Sequence, residues 1–384
     1  MTRTYLDYNA TAPVRPPVIE AVASAMALVG NSSSVHEEGR ASRALIEAAR
    51  ETVRKTINGP VNGVIFTGGG TEAIHYALHG TVGAGLAKRV FISAIEHAAV
   101  PANAASLATS EGPVPVETLP VLPSGQLDLD HLRARLADYD VARDGGFLVC
   151  LMLANNETGV IQPVREAAAI IHDVGGLLFV DAAQAVGKIP VNFVMLGADM
   201  LALTGHKFGG PLGVGALIVR PDLNLAPVMR GGGHEMNRRA GTSNGPAIAG
   251  LAKACELASE SLDHGATLAQ WRDKMQAAVE TAGATVWGAG QERLPGTLCF
   301  SAPGFSSETQ LMALDLAGIA VSAGSACSSG KAQPSGVLTA MGASDELARS
   351  AVRSSLGWNS GEEDADNFIA AWTQAYARVK ERAA

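Results

Sequence analysis

One lysine, Lys207, occupies a place in the chain where it could act as a nucleophile. It lies in the run DMLALTGHKFGGPLGVGAL at residues 199–217, after a predicted strand and before a glycine-rich turn. A lysine next to small and hydroxyl residues can form a Schiff base when burial lowers the pKa of its amine. Taken alone, this run fits a surface lysine in a turn better, so the neighbouring segments must decide between the two.

A carboxylate ends another apolar run. Leu177–Asp181 reads LLFVD, and Gln184 follows shortly after it. An aspartate at the carboxyl end of a buried parallel strand points into the crevice where α/β sheets bind ligands. In a pyridoxal phosphate enzyme, such a carboxylate keeps the pyridinium nitrogen protonated, so that the ring acts as an electron sink. The alternative role for Asp181 is a cap on the following helix.

Three further segments carry groups that could contact the same ligand. Phe66–Ala73, FTGGGTEA, predicts a strand, a glycine-rich turn and a helix start, which favours one phosphate beside the Thr71 hydroxyl. It matches neither GxxxxGK[ST] nor GxGxxG, so a dinucleotide is not expected. His97 follows another strand and could stack on a ring or move protons, with a structural histidine as the alternative. The polar loop NNETG at residues 155–159 could lie at the same sheet edge or form a plain turn.

One of the four cysteines differs from the others. Cys150, Cys255 and Cys299 lie in apolar runs and are expected to be buried. Cys327 lies in SAGSACSSGKAQPSG, a stretch without apolar periodicity, which predicts an exposed and mobile loop where a thiolate can reach a substrate and then leave. A free cysteine without a function is the alternative.

Arg353, in AVRSSLGW, could bind a substrate carboxylate in a bidentate manner or form a structural ion pair.

These segments need a scaffold that brings strand ends together. Apolar runs alternate with helical or turn segments up to about residue 260, which predicts an α/β fold whose mainly parallel sheet is covered on both faces. We expect a large domain over residues 15–259 and a smaller α+β domain over residues 1–14 and 260–384. The main predicted strands are Val64–Thr67, Val90–Ala94, Val114–Leu119, Phe147–Leu153, Leu177–Asp181, Met200–Thr204 and Val214–Arg220, and the predicted helices include residues 16–29, 40–57, 246–282 and 362–382.

Composition and charge exclude several classes of function. The 384 residues carry 29 Lys and Arg against 37 Asp and Glu, a net charge of −8, with no basic cluster. Binding to nucleic acid or to an anionic membrane surface is therefore not expected. The four cysteines show neither metal-site nor disulfide spacing, so no metal is expected and a reducing compartment is favoured. Without a signal region or a long apolar stretch, a cytoplasmic protein is expected.

The ordered motifs resemble those of one enzyme family. They are YLDYNATAPV, SVHEEGRAS, FTGGGTEA, EHAAV, NNETGV, VDAAQAVGK, TGHKFGGPLGVGAL, GGGHEMNRRAGT, SAGSACSS and VRSSLG. Over nearly its whole length the sequence resembles the cysteine desulfurases, in the class V aminotransferase group of fold-type I pyridoxal phosphate enzymes. The resemblance implies that sulfur from L-cysteine forms a persulfide on Cys327, leaving L-alanine, and passes to an acceptor such as an iron–sulfur scaffold or another sulfur carrier. A selenocysteine lyase or a small-amino-acid aminotransferase is the alternative within this fold, and a catalytically idle binding protein is the alternative outside it.

The resemblance also implies which residues carry the reaction. Lys207 would hold the cofactor as a Schiff base and remove the Cα proton of the substrate. Cys327 would take the sulfur, and His97 would stack on the ring and help to deprotonate the substrate thiol. Arg353 would bind the substrate carboxylate, with Asn156 near both the substrate and the ring hydroxyl.

The remaining implied residues bind the cofactor. Asp181 would pair with the pyridinium nitrogen, and Gln184 would contact the ring hydroxyl. Thr242 would reach the phosphate from the other subunit, which implies a homodimer with shared active sites. The phosphate-binding positions within the chain would be Gly70, Thr71, Thr204 and His206.

Overall fold

A seven-stranded sheet forms the centre of the larger part of the protein. The computed structural model describes residues 3–260, 262–324 and 333–383. Its strands are β1 (Thr4–Tyr5), β2 (Val64–Thr67), β3 (Arg89–Ser93), β4 (Ala108–Thr109), β5 (Gly112–Pro113), β6 (Val116–Leu119), β7 (Phe147–Met152), β8 (Leu177–Asp181), β9 (Met200–Thr204), β10 (Gly215–Val219), β11 (Thr285–Val286), β12 (Thr297–Ser301), β13 (Ile319–Ala320), β14 (Ser322–Ala323) and β15 (Ala351–Ser355). The large sheet has the order β2-β10-β9-β8-β7-β3-β6, in which β10 is antiparallel to its neighbours and the other pairs are parallel. The predicted α/β fold with a mainly parallel sheet is confirmed.

Helices cover both faces of this sheet. The α-helices of the described residues are α1 (Pro16–Met26), α2 (Glu37–Thr56), α3 (Gly70–Gly83), α4 (Ala99–Ala104), α5 (Leu129–Leu136), α6 (Val141–Asp144), α7 (Val164–Asp173), α8 (Phe193–Leu196), α9 (Gly245–Glu260), α10 (Gly265–Thr281), α11 (Ser307–Leu316), α12 (Gly336–Ala340), α13 (Asp345–Arg349) and α14 (Glu362–Ala383). Of these, α10, α11 and α14 belong to the smaller part described below. In β8, Leu178 and Val180 belong to an apolar cluster with α7 and α9, whereas Leu177 and Phe179 belong to a second cluster with α3. Burial on both faces explains why the strands read as continuous apolar runs.

The order of the strands reverses between β3 and β7. From β3 the chain adds β6 at the sheet edge, and from β7 it adds β8 and β9 in the opposite direction. At such a reversal the connections diverge and leave a crevice at the carboxyl ends of the strands. The residues that follow β3, β7, β8 and β9 therefore surround one crevice.

The C-terminal part builds a second, smaller core. Strands β11, β12, β15 and β14 form an antiparallel sheet in that order, with α10, α11 and α14 packed beside it. Trp372 of α14 is fully buried there, and its indole N–H donates to Gln310 Oε1 at 2.8 Å. Strand β1 pairs in parallel with β13, Thr4 opposite Ile319, so the first described residues contact this core. The domain boundaries given above stay a prediction.

Several predicted elements differ in extent from the structure, and two of these differences have a clear physical reason. The predicted helix over residues 246–282 is two helices, α9 and α10, separated by the 3-10 turn Leu262–His264. A single helix of that length would span about 55 Å, and the polar residues before Gly265 favour a break. The predicted strand Val114–Leu119 begins at Val116, because Pro115 has no N–H to donate and the residues before it pair in the hairpin of β4 and β5.

Candidate active site

A cleft opens at the carboxyl edge of the large sheet. Its volume is about 200 Å³, and sites of this concave kind are where small molecules usually bind. Every predicted cofactor-binding residue except Thr242 lines it. The lining residues are Gly70, Thr71, Ile74, His97, Met152, Ala154, Asn156, Asp181, Ala183, Gln184, Thr204, His206 and Lys207.

Asp181, the last residue of β8, places a buried carboxylate in this cleft. It is 6% exposed, and its Oδ1 accepts the N–H of Ala183 at 2.9 Å. Burial raises the pKa of the Asp181 carboxyl, against the opposing effects of that N–H, His97 and Lys207. Burial also lowers the pKa of His97, with Asp181 opposing the change and Lys207 adding to it. A cationic group beside Asp181 would therefore offset the cost of burying the carboxylate.

The N-terminus of α3 forms another part of the cleft lining. Gly69 precedes the helix with a φ of 148°, a conformation that favours glycine, and Gly70 and Thr71 begin the helix. The first N–H groups of a helix have no partner within it and carry partial positive charge, which favours a phosphate. Thr204 lies close by, since a Cβ added to Gly70 would be 3.6 Å from Thr204 Cβ.

Lys207 ends the 3-10 turn that follows β9. Its Nζ donates to the carbonyl oxygens of Asn9 at 2.8 Å and Ala10 at 2.9 Å. Burial, together with the positive charges of Lys207 and Lys188, lowers the pKa of His206 to about 4. The His206 imidazole is therefore neutral at neutral pH.

Asn9 connects these strand ends to one another. It is 1% exposed, and both its backbone and its side chain are hydrogen-bonded. Lys188 Nζ donates to Asn9 Oδ1 and to Gln184 Oε1, both at 2.7 Å, so the amide nitrogen of Gln184 faces the Asn9 carbonyl. The carbonyl oxygen of Asn9 accepts Gln184 Nε2 at 2.9 Å, and the N–H of Asn9 donates to Ser355 Oγ at 2.9 Å. Asn9 Nδ2 donates to the carbonyl oxygen of Asn156 at 3.2 Å and to Thr297 Oγ1 at 3.0 Å.

Strand β15 brings Arg353 next to the loop that follows β7. Its Nη1 donates to the carbonyl oxygen of Asn156 at 2.9 Å, and its Nη2 donates to Asp7 Oδ1 at 2.8 Å. Ser322 Oγ donates to the other carboxylate oxygen of Asp7 at 2.7 Å. Arg353 is 4% exposed, and among the described residues its Nε has no hydrogen-bond partner. The arginine thus forms an ion pair and retains one buried N–H for a further acceptor.

Arg353 bonds to the carbonyl oxygen of Asn156 but does not itself line the cleft. Two further predicted site residues are not among the lining residues. Thr242 is exposed and does not line the cleft, and Cys327 lies outside the described residues. The other three cysteines, Cys150, Cys255 and Cys299, are fully buried, as predicted. Burial raises the pKa of all three thiols, to about 12 for Cys255, so none of them is a thiolate at neutral pH.

Sequence reasoning assigned no role to Asp7, Asn9 or Lys188. Asp7 and Asn9 alternate with the buried Leu6 and Tyr8 in the motif YLDYNATAPV. A polar residue inside a stretch that is otherwise buried needs hydrogen-bond partners, and this signal could have identified both. Lys188 closes the motif VDAAQAVGK, without a local pattern that indicates its contacts.

The described residues contain neither a cluster of metal ligands nor a membrane-spanning helix. No group of three or more His, Cys, Asp and Glu side chains there could hold a metal ion. No helix within the same residues is long and apolar enough to cross a membrane.

The fold and the cleft define the class of protein. A lysine, a buried aspartate and a helix N-terminus around one crevice of a mainly parallel sheet are the arrangement of a fold-type I enzyme. The aminotransferase class-V family matches residues 4–368, and the chain belongs to this family.

Individual relatives indicate to which group within this family the chain is similar. The chain is 38% identical over 388 residues to the IscS-like cysteine desulfurase of Mycobacterium tuberculosis, covering 99% of this chain and 98% of that protein. It is 41% identical over 369 residues to a cysteine desulfurase of Cereibacter sphaeroides, covering 94% and 93%. The crystal structure of a NifS-like protein from Rickettsia africae ESF-5 has a TM-score of 0.88 at 30% identity, covering 98% and 99%. These matches place the chain in the cysteine desulfurase group, as its motifs imply.

Replacing Asn9 by alanine should destabilise the protein, because it removes the acceptor of Lys188 and the donor to Asn156 and Thr297. We expect the free energy of unfolding to fall by about 2–4 kcal/mol, since each buried polar group left without a partner costs about 1–3 kcal/mol. Urea denaturation measures this change. The control is Asn359→Ala at an exposed position, where we expect about 0.5 kcal/mol or less. Equal losses in the two variants would contradict the role of Asn9.

Proposed function

We propose that this protein is a pyridoxal phosphate-dependent cysteine desulfurase that forms L-alanine and a persulfide on Cys327. One observation carries the proposal: an amine, a buried carboxylate and a helix N-terminus line one cleft, in a chain whose relatives are named cysteine desulfurases. These three groups match the aldehyde, the pyridinium nitrogen and the phosphate of the cofactor.

The cleft residues fit this cofactor chemically. Burial raises the pKa of Asp181 and so disfavours its charged form. A protonated ring nitrogen beside it would stabilise the carboxylate. Gly70, Thr71 and Thr204 would hold the phosphate with backbone N–H groups and hydroxyls. When bound, the cofactor withdraws electrons from Cα of the amino acid and thereby weakens the bonds at that atom.

The protein's own residues bind the substrate and move its protons. Lys207 Nζ takes the proton from Cα of the substrate. His97, kept neutral because burial lowers its pKa, accepts the proton of the substrate thiol. Arg353 contributes its unpartnered N–H to the substrate carboxylate. Gln184 donates to the ring hydroxyl, with Asn9 and Lys188 holding its amide in position.

The sulfur step uses the thiolate of Cys327. A bond forms between the two sulfur atoms while the Cβ–S bond of the substrate breaks, and its electron pair stays on the substrate carbon. Proton uptake by that carbon and the return of a proton to Cα yield alanine, so cysteine and a protein thiol become alanine and a protein persulfide without another oxidant. The persulfide sulfur then passes to an acceptor protein, an iron–sulfur scaffold or another sulfur carrier. The step needs a reduced Cys327, which a cytoplasmic location provides.

The principal test incubates the holoenzyme with L-cysteine and a reductant and measures alanine and sulfide. We expect Cys327→Ser to lose at least about 99% of alanine formation, as removal of a nucleophile typically costs several orders of magnitude, while the cofactor absorbance remains. The control is Cys255→Ala, which should retain activity because Cys255 is fully buried in the core. Undiminished alanine formation by Cys327→Ser would instead favour a lyase or aminotransferase without a persulfide.

Replacing Lys207 by alanine tests the covalent attachment of the cofactor. We expect the purified variant to lack the visible absorbance that the wild type shows after the same reconstitution with pyridoxal phosphate, because its only attachment point is gone. Lys55→Ala is the control, since the Lys55 side chain is 69% exposed. An unchanged spectrum of Lys207→Ala would show that another group holds the cofactor.

The active sites are proposed to be shared between the two subunits of a homodimer. Thr242 is exposed on this chain, and the segments near it expose several large apolar side chains, which is typical of an interface. Those side chains are Val29, Val35, Met229 and Met236.

Mixed dimers test this sharing. Lys207→Ala and Thr242→Glu should each be nearly inactive alone, the latter because its charge repels the phosphate. In a mixed dimer, one site carries both changes and the other carries neither. Co-expression with two affinity tags should therefore yield a mixed dimer with about half the wild-type activity. An inactive mixed dimer would assign Thr242 to the site of its own chain, and an active monomer would exclude sharing altogether.

A further inference from the structure

Glu157 is a buried carboxylate next to the cleft, in the loop that follows β7. It is 6% exposed, and the reaction described above does not use it. Asn155 Oδ1 accepts the N–H groups of Glu157 and Thr158, each at 2.9 Å, and Asn155 Nδ2 donates to the Ile95 oxygen at 3.1 Å. The backbone that carries Glu157 is therefore held in one conformation.

One oxygen of this carboxylate contacts two distant points of the chain. Ser335 Oγ donates to Glu157 Oε2 at 2.5 Å. A Cβ added to Gly324 would lie 2.7 Å from the same oxygen and 3.4 Å from Ser335 Cβ. The carboxylate thus occupies the space that a side chain at position 324 would need. Ser335 also caps α12, since its Oγ accepts the N–H of Leu338 at 3.1 Å.

Gly324 and Ser335 flank the part of the sequence that contains Cys327. Gly324 follows β14 directly, and Ser335 precedes α12. On the other side, Glu157 adjoins Asn156, whose side chain lines the cleft and whose carbonyl oxygen accepts Nη1 of Arg353. The same short loop therefore contacts the cofactor cleft, the arginine and both flanks of the cysteine segment.

We propose that Glu157 is a positioning residue for sulfur transfer, whose carboxylate holds Gly324 and Ser335 at a set distance from the cleft. This inference rests on the proposed function, because it assumes that Cys327 receives the sulfur. Glu157 does not itself line the cleft. Its carboxylate acts on Gly324 and Ser335, the two residues that flank the cysteine segment in the sequence.

The protonation of Glu157 changes near neutral pH. Burial raises the pKa of its carboxyl to about 7, while the hydrogen bond from Ser335 and the charge of Arg353 oppose this rise. Cys299 of β12 also interacts with the Glu157 carboxylate, and burial raises the pKa of this thiol. Below about pH 7 the carboxyl is protonated, and above it the carboxylate accepts a charge-assisted bond from Ser335, which is roughly twice as strong as a neutral one.

A pair of glycine variants tests the contact without removing Glu157. Gly324→Ala places a methyl group 2.7 Å from Glu157 Oε2, whereas Gly336→Ala, near the other flank, meets nothing within 4 Å. We expect Gly324→Ala to lower alanine formation at least about tenfold, since small misplacements of reacting groups cost up to about 100-fold. Gly336→Ala should stay close to the wild-type rate. Both should retain the cofactor absorbance and its change on addition of L-cysteine.

The pH dependence tests the carboxylate itself. Glu157→Gln keeps an acceptor for Ser335 but cannot ionise. We expect the ratio of wild-type to variant alanine formation to rise about threefold to tenfold between pH 6 and pH 8, because only the wild type gains the charge-assisted bond. Glu157→Gln should also add little further loss to Ser335→Ala, since the two changes remove one shared interaction.

The outcomes separate this inference from the proposed function. A constant ratio across pH, or wild-type rates in Gly324→Ala, would overturn the positioning role while leaving the enzyme active. If the wild type forms no alanine from L-cysteine, or if Cys327→Ser is fully active, the proposed function itself is overturned. If Glu157→Gln does not fold, the glycine pair and Ser335→Ala still decide the question.

Discussion

The arrangement of the active site depends on the hydrogen bonds of Asn9, a residue outside the sheet that builds the cleft. Its carbonyl oxygen accepts both Lys207 and Gln184, and its side chain bonds to Lys188 and to the loop that carries Asn156. These partners follow three different strands, β9, β8 and β7. Because Asn9 is 1% exposed, water cannot replace a missing partner, and each unmade bond would cost free energy. The N-terminal segment therefore sets the relative positions of three strand ends.

Burial also determines the charges that this arrangement offers to a ligand. It raises the pKa of Asp181 and lowers the pKa values of His97 and His206. Glu96, partly buried next to His97, has a pKa that burial raises, and it accepts the N–H of Met152 at 2.7 Å. The cleft thus favours a cation at the end of β8 and an anion at the start of α3. A phosphorylated pyridinium ring, as in pyridoxal phosphate, carries both charges.

The smaller part of the protein reaches this cleft through the loop at residues 155–159. Arg353 bonds to the carbonyl of Asn156, and Ser335 bonds to the carboxylate of Glu157. The loop itself follows β7, at the reversal of the strand order. The crevice of the sheet therefore lies where polar contacts join the two cores.

Much of the scaffold follows from the sequence alone. The predicted strands Leu177–Asp181 and Met200–Thr204 match β8 and β9 residue for residue, because burial on both faces produces continuous apolar runs. Motifs at the strand ends also identified the residues that line the cleft, since parallel strands bring those ends to one edge. Only the tertiary structure decided their partners: that Arg353 pairs with Asp7, that Asn9 holds Lys207 across 198 positions of sequence, and that Glu157 meets Ser335. Such contacts join segments far apart in the chain, and no local pattern of residue types encodes them.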